Sequence, residues 1–256
     1  MHPALGLVIP LPLEAIALLG RGAARLRGEE PVFRSRARDG TELVSAISGV
    51  GCGNARSAAR RLVESGGATA LAVLGVSGGI APGLGAGFLV VGDGVVEETG
   101  DACPPIRADG PCAEFALASL AAGGFAACRG GIVTAAHAVL SPESKRSLHE
   151  RTGALAVDME SAGVGRVAAA TGLPFFALRS ICDPSGRGVP PDLPGFLGDD
   201  GRVRPGVLLR NLRTRPSLLV DLLRAGKDLA VALSSLRGGW GVLERQGLPS
   251  RLASGR

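Results

Sequence analysis

Seven short apolar runs constrain the fold of this 256-residue chain more than any other feature of its sequence. Most of them lack polar alternation and are bounded by glycine, proline or polar residues, which is typical of strands buried on both faces. The runs are Leu5–Ile9, Leu43–Ile47, Ala70–Leu74, Phe88–Val91, Ile132–Ala135, Leu155–Val157 and Phe175–Cys182. Such strands indicate a sheet that is covered by helices on each side.

Helical patterns separate several of these runs. Ser141 is placed to cap a helix over Pro142–Glu150, and Gly172 with Pro174 ends one over Glu160–Thr171. Further helices are predicted over Leu13–Leu26, Asn54–Ser65 and Ala113–Ala122. The alternation predicts a single-domain α/β fold with a mixed, mostly parallel sheet flanked by helices.

The C-terminal part has a different character. A loop-rich stretch follows Asp183, and leucines then recur at helical spacing up to Leu236. Four arginines precede them, namely Arg204, Arg210, Arg213 and Arg215. We expect one domain over residues 1–237, with a basic, leucine-rich helical region at 204–236 and a poorly ordered tail at 238–256.

Composition narrows the class of protein. The formal net charge is +5, but aromatic residues make up only 3% of the chain, so nucleic-acid binding is not expected. The five cysteines are widely spaced without a CxxC pair, which disfavours disulfides and zinc and suits a reducing cytoplasm. The uncharged stretch 67–92 is rich in glycine and contains Pro82, so it does not suit a membrane helix. The apolar N-terminus lacks a basic segment, so we interpret it as a first strand rather than a signal peptide.

Carboxylates follow two of the predicted strands. Asp158 and Glu160 lie in "AVDMESAG", and Asp183 follows the last apolar run. If these strands form one right-handed βαβ unit, the carboxylates emerge at equivalent ends, where one could stabilise positive charge while another donates a proton. The alternative is structural: Asp158 caps a helix, and Asp183 precedes Pro184 in a turn.

Two glycine-rich loops and one histidine are weaker candidates. "GVSGGIAPGLGAG" offers backbone N–H groups to an anion or a polar ligand. "GVGCGN" has Asn54 at the third glycine position of a dinucleotide fingerprint and lacks the later acidic residue, so a Rossmann site is disfavoured. His137 is the histidine best placed to line a pocket, although a lone histidine favours a structural role.

Five motifs, taken in order, resemble the purine nucleoside phosphorylase and methylthioadenosine/S-adenosylhomocysteine nucleosidase superfamily. They are "LPLEA", "SGVGCGNA", "LGVSGGIAPGL", "ALAVDMESAGV" and "PFFALRSICD", and the likeness spans roughly Leu5 to Asp183. In addition, "ICDPSGRGVPP" and "DDGRVRP" look like the hopanoid-associated phosphorylase branch, whose proposed substrate is adenosylhopane. The resemblance implies a nucleoside phosphorylase-like fold.

The resemblance also implies residue roles. Asp183 would bind the purine edge and protonate N7, while Glu160 and Met159 would hold the ribose. Glu14 would activate water, with Arg179 near that water. The remaining implied site residues are Ser77, Gly78 and Gly79 beside the ribose and nucleophile, and His137 in the base-binding loop.

The chain departs from the family pattern at several positions. Asp158 replaces the first glutamate of the "E-M-E" motif, and Val76 stands where many nucleosidases have serine. His137 and Val139 replace an aspartate and an aromatic residue of the nucleosidase base loop. No arginine directly follows the glycine loop to hold phosphate, so both water and phosphate stay open as the nucleophile.

The expected function is cleavage of the N-glycosidic bond of adenosylhopane or another adenine nucleoside, without metal or cofactor and with phosphate as an optional co-substrate. One alternative is a methylthioadenosine/S-adenosylhomocysteine nucleosidase or another soluble purine nucleoside phosphorylase. Another is a non-catalytic nucleoside-binding or membrane-surface module. We expect a cytoplasmic homo-oligomer, a dimer or larger, whose basic C-terminal region contacts anionic lipid at the inner membrane.

Overall fold

A mixed β-sheet organises the chain in a computed structural model that describes residues 3–20, 32–98, 105–188 and 218–255. Its strands are β1 (Ala4–Ile9), β2 (Phe33–Arg36), β3 (Glu42–Ile47), β4 (Ala70–Gly79), β5 (Leu89–Glu97), β6 (Ile106–Arg107), β7 (Ala127–Thr134), β8 (Ala156–Asp158) and β9 (Phe175–Asp183). Its helices are α1 (Pro12–Leu19), α2 (Cys52–Glu64), α3 (Gly110–Ala122), α4 (Pro142–Thr152), α5 (Ser161–Thr171), α6 (Leu218–Arg245) and α7 (Leu248–Ser254). All seven predicted strands are present, whereas β2 and β6 were not anticipated.

The strand pairings close part of the sheet into a ring. The order is β2-β3-β1-β4-β8-β7-β5-β6, and β9 pairs with both β4 and β5. Within the described residues, β4, β8, β7, β5 and β9 therefore form a closed circuit. Five of the strand pairs are parallel and four are antiparallel, as expected for a mixed sheet.

The prediction of a parallel βαβ unit between the two carboxylate-bearing strands is wrong. β8 runs antiparallel to β4, with Gly78 opposite Val157, whereas β9 runs parallel to β4. The short β8 pairs with the last residues of β4. On the other side of β4 the pairing with β9 shifts register between Ser77 and Gly78, where Cys182 is an extra residue on β9. Glu160 and Asp183 therefore flank β4 from opposite sides instead of emerging at equivalent ends.

Burial on both faces explains why the strands lack polar alternation. Neighbouring residues enter two different core clusters: Leu7, Leu74 and Leu178 belong to one, while Val8 and Val73 belong to the other. Because successive side chains of a strand point to opposite faces, each face is covered by its own apolar layer. This confirms the sequence-based prediction of a sheet between two helical layers.

Two helix ends confirm the predicted caps. The Ser141 hydroxyl accepts a hydrogen bond from the Ser144 N–H at the start of α4. Gly172 ends α5 in the left-handed conformation that glycine adopts without strain. The predicted helix Leu13–Leu26 begins as α1, but its second half falls in residues 21–31, outside the described part.

The expectation of a poorly ordered tail at 238–256 is wrong, and so is a domain boundary at residue 237. α6 continues to Arg245, and Trp240, Leu243 and Leu252 are buried in the core. The glycines that interrupt the leucine pattern allow close packing: a Cβ on Gly239 would lie 2.6 Å from Leu89 Cδ1. Of the basic, leucine-rich region, residues 204–217 lie outside the described residues.

No helix in the described part of the chain combines the length and the apolar character that crossing a membrane requires.

The packing of α6 leads to a stability prediction for two leucines on the same helix. Leu243 is fully buried, whereas the side chain of Leu223 is 66% exposed. We expect Leu243→Ala to lower the free energy of unfolding by about 2–5 kcal/mol, because it leaves a cavity in the core. Leu223→Ala should change it by less than about 0.5 kcal/mol. Urea unfolding of both variants measures the difference, and equally small losses would show that this segment does not support the core.

Candidate active site

Glu14, the third residue of α1, is a buried carboxyl fixed by two backbone N–H groups. Leu11 N–H donates to Oε2 and Val76 N–H to Oε1, each at 2.7 Å. Burial raises the pKa of Glu14 from 4.5 to about 7, although these hydrogen bonds and the charge of Arg179 act in the opposite direction. A carboxyl that titrates near neutrality is suited to act as a general base.

Glu14 and Arg179 both lie close to Gly75 of β4. A Cβ on Gly75 would lie 2.7 Å from Glu14 Oε1 and 2.5 Å from Arg179 Nη1. Both distances are shorter than real Cβ contacts, so any larger residue would displace one of these two groups. The missing side chain thus leaves room for a carboxyl and a guanidinium beside the same strand.

Arg179 is a fully buried cation in the middle of β9. Its Nη2 contacts Asp158 Oδ2 at 2.7 Å and donates to Ser161 Oγ at 3.1 Å, while Glu160 Oε2 lies 3.8 Å away. Its Nε and Nη1 have no hydrogen-bond partner among the described residues, and neither does the buried hydroxyl of Ser77. Unpaired buried donors of this kind are rare and suit a polar ligand.

Asp158 acts as a structural acceptor. Its Oδ1 accepts from Thr134 Oγ1 at 2.8 Å and from the backbone N–H groups of Glu160 and Ser161 at 3.2 Å. Its Oδ2 accepts from the Ser161 hydroxyl and pairs with Arg179. The structural alternative is therefore confirmed for this residue: Asp158 caps α5 and fixes the guanidinium.

Glu160 connects α5 to the loop that contains "GVGCGN". Gly51 N–H donates to Oε1 at 2.9 Å, and Met159 N–H donates to Oε2 at 3.3 Å. Burial raises the pKa of Glu160, against the opposing effect of Arg179. The loop that resembled part of a dinucleotide fingerprint thus binds a carboxylate of the protein itself.

Asp183 is the outermost of these carboxylates, with its side chain 21% exposed at the end of β9. Its Oδ2 lies 2.5 Å from the Nζ of Lys145 and 3.8 Å from where a Cβ on Gly78 would be. Burial raises the pKa of Asp183, while the hydrogen bond and the charge of Lys145 lower it. The sequence analysis missed Lys145, whose one local signal is its position three residues before the buried Leu148 on α4.

The structure unites most of the predicted site residues around the end of β4. Glu14 and Arg179 lie beside Gly75, and Ser77 is buried in the strand. Glu160 lies next to Arg179 by a longer ionic contact. Gly78 and Gly79 lie close to Val157 and Ile181, so they keep the neighbouring strands near β4.

His137 does not join this cluster. It is exposed and lines a separate cavity of about 700 Å³ together with Val139, Leu140 and Arg151. The described residues also contain no group of histidine, cysteine and acidic side chains that could hold a metal ion.

Known proteins with a similar sequence or fold identify the family. A family model described as the phosphorylase superfamily matches residues 5–198, more than half of the chain. The chain therefore belongs to the phosphorylase superfamily.

The sequence identity to individual relatives is low. The 5′-methylthioadenosine/S-adenosylhomocysteine nucleosidase of Mycobacterium bovis is 27% identical over 253 residues, covering 83% of this chain and 98% of that protein. The futalosine hydrolase of Helicobacter pylori has a TM-score of 0.69 at 16% identity, covering 98% of this chain and 99% of that one. The 5′-methylthioadenosine/S-adenosylhomocysteine nucleosidase of H. pylori, solved with a substituted pyrrolidinol, also has a TM-score of 0.69 at 16% identity, covering 98% of this chain and 100% of that one. These structures confirm the predicted nucleoside phosphorylase-like fold.

The raised pKa of Glu14 predicts a pH-dependent stability. Because the folded pKa of about 7 exceeds the ordinary value of 4.5, protonated Glu14 stabilises the fold, and this contribution is lost as pH rises from 4.5 through 7. Relative to Glu14→Gln, the wild type should lose about 3 kcal/mol of unfolding free energy over that interval. Denaturant unfolding at several pH values tests this. Glu114→Gln, at an exposed glutamate, should retain the wild-type dependence, and the same result for Glu14→Gln would refute the assignment.

Proposed function

We propose that the protein cleaves the N-glycosidic bond of adenosylhopane by hydrolysis and releases adenine together with ribosylhopane. As a member of the phosphorylase superfamily, the protein is an enzyme that cleaves N-glycosidic bonds. The observation that carries the catalytic part is the arrangement of Glu14, with its pKa of about 7, beside the unpaired donors of Arg179. The choice of substrate rests on the sequence motifs and on exposed apolar side chains.

Cleavage of an N-glycosidic bond creates opposite charges on the two parts of the substrate. When the bond between C1′ and the base nitrogen breaks, the ribosyl group becomes positively charged and the base takes the electron pair. A carboxylate near the sugar stabilises the first charge, and an acid near the base neutralises the second. We assign the first role to Glu160, with Met159 against the ribose, and the second to Asp183.

The nucleophile in this proposal is water. Glu14 Oε1 can accept a proton, while Arg179 Nη1 and the Ser77 hydroxyl lack partners within the described residues. Water both donates and accepts, so it suits a position between the Glu14 carboxyl and the Arg179 Nη1, which both lie close to Gly75. A phosphate anion would face the carboxylate of Glu14 once that residue is ionised, which disfavours phosphorolysis.

Exposed apolar side chains on α1 and α6 support adenosylhopane as the proposed substrate. Leu13 and Ile16 are exposed on α1, on either side of the sequence position of the buried Glu14. Leu223 and Val231 are exposed on α6, which packs against α1. A polycyclic hydrocarbon tail attached to the ribose needs apolar surface of this kind, because it is poorly soluble in water.

A second candidate function is supported by the similarity to the mycobacterial nucleosidase, which extends over nearly all of that relative. On this alternative the substrate is methylthioadenosine or S-adenosylhomocysteine, whose substituents are small or polar. The chemistry at Glu14, Glu160 and Asp183 would be the same, so only a comparison of substrates separates the two functions.

We predict adenine release from adenosylhopane at a higher kcat/KM than from methylthioadenosine or S-adenosylhomocysteine. Without phosphate the second product should be free ribosylhopane, and Glu14→Gln should suppress its formation by about 10²-fold or more, because water must lose a proton as it attacks. Mass spectrometry of both products, with and without phosphate, provides the measurement.

Each component of this prediction has a distinct contrary result. Preference for methylthioadenosine would favour the second candidate function. If activity strictly requires phosphate and Glu14→Gln does not reduce it, water is excluded as the nucleophile. Absence of adenine release from every adenosine derivative would exclude the catalytic proposal. Glu114→Gln serves as the matched control, because that glutamate is exposed and its ion pair is with Arg129 instead of a site residue.

The proposal also covers location and assembly: a cytoplasmic homo-oligomer in peripheral contact with anionic lipid. Its basic residues Arg204, Arg210, Arg213 and Arg215 lie outside the described residues, so the support is their spacing before a leucine-rich helix. Basic residues near an anionic surface contribute about 1 kcal/mol each to binding.

We expect salt-sensitive binding to vesicles of phosphatidylcholine and phosphatidylglycerol, and weaker binding to phosphatidylcholine alone. Changing the four arginines to glutamate should reduce activity on adenosylhopane embedded in vesicles much more than activity on a short-tailed adenosine analogue. Vesicle sedimentation and adenine release measure these effects. Equal losses on both substrates would indicate a structural role, and no sedimentation at low salt would exclude membrane contact.

A further inference from the structure

Lys145 is a fully buried cation whose contacts converge on the leaving-group side of the site. Its Nζ donates to Asp183 Oδ2 at 2.5 Å and to the carbonyl oxygens of Arg187 and Pro184 at 3.0 and 3.2 Å. An ammonium group has three donor hydrogens, so these contacts satisfy it. A charge without solvent contact is costly unless it is paired in this way.

The position of Lys145 shows why the cation acts on Asp183 in particular. The three carbonyl and carboxylate partners all belong to Asp183 or to the turn that follows it, so α4 fixes the end of β9 through one side chain. Arg187 is a second cation near Asp183, but it pairs with Asp228 of α6 at 2.8 Å. Lys145 therefore provides the direct ionic contact to the Asp183 carboxyl.

We propose that Lys145 is a positioning residue that makes Asp183 an effective acid for the leaving base. This inference rests on the proposed function. As the bond between C1′ and the base breaks, its electron pair moves to the base, and N7 takes the proton of Asp183. Asp183 becomes a carboxylate, and the ammonium of Lys145 stabilises that new negative charge through Oδ2, which leaves Oδ1 to face the base.

The opposing effects of burial and Lys145 support this role. Burial alone would make Asp183 a weaker proton donor, because it raises the pKa of the carboxyl, whereas Lys145 lowers that pKa. Without the ammonium, proton transfer would leave a partly buried carboxylate with neither full hydration nor a cation in direct contact. The cost would be largest for a base that depends fully on protonation in order to leave.

The test compares substrates that differ in their need for an acid. Adenine leaves with protonation, whereas p-nitrophenolate leaves readily as an anion. We expect Lys145→Met to reduce kcat/KM for the adenine nucleoside by about 10²-fold, and for the corresponding p-nitrophenyl riboside by less than about tenfold. Lys145→Arg retains the positive charge and should restore much of the loss on the adenine nucleoside.

A double-mutant cycle distinguishes action through Asp183 from a general disturbance. Asp183→Asn should nearly abolish adenine release, and adding Lys145→Met to it should change the residual rate by less than about threefold. Thermal unfolding of all variants checks that they fold, and Lys145→Gln, which also removes the charge, replaces Lys145→Met in both experiments if that variant does not fold.

Two outcomes would overturn the inference: parallel losses on both ribosides for Lys145→Met, or additive effects of the two substitutions. If the wild type releases adenine and either result is found, only the role of Lys145 fails. If the wild type releases no adenine, the proposed function itself fails.

Discussion

The contacts of the buried Arg179 guanidinium are the interactions on which the rest of the site depends. A guanidinium without solvent contact requires compensating acceptors, and the chain supplies Asp158 at 2.7 Å, Ser161 at 3.1 Å and Glu160 at 3.8 Å. These partners belong to the end of β8 and the start of α5, so the cation joins that helix terminus to the middle of β9. Glu14 approaches the same guanidinium from α1 because Gly75 has no side chain.

The site divides its charges between two cations, and in the proposed function this division separates the two catalytic roles that we assign. Arg179 lies among the interior carboxylates, where burial raises the pKa of Glu14 to about 7, a value that suits its proposed role as a base at neutral pH. Lys145 pairs with Asp183 at the more exposed end of β9. Because Glu14 and Asp183 each have their own neighbouring cation, the pKa of the proposed base and that of the proposed leaving-group acid are influenced by different charges.

Glycine in this fold serves close approach as well as turns. The loop at Gly51 donates an N–H to Glu160, so a sequence that resembles half of a dinucleotide motif positions a carboxylate instead. β4 continues through Gly75 and Gly78 although glycine weakens an isolated strand. Gly75 pairs with Arg179 of β9, and Gly78 pairs with both β8 and β9. In the same way, Gly239 brings α6 against Leu89.

Sequence patterns were sufficient to predict seven of the nine described strands, the approximate positions of α2 to α5, and the caps at Ser141 and Gly172. Family resemblance added Glu14, Glu160, Arg179 and Asp183 as candidate residues. These features follow from local periodicity, from turn chemistry and from short motifs. Three features became visible in the folded chain alone: β8 runs antiparallel to β4, several side chains of 238–255 are buried in the core, and Lys145 pairs with Asp183 across 38 residues of chain. The physical reason is that apolar and charged patterns specify which groups must be buried or paired, whereas the identity of the partner depends on chain segments that are remote in sequence.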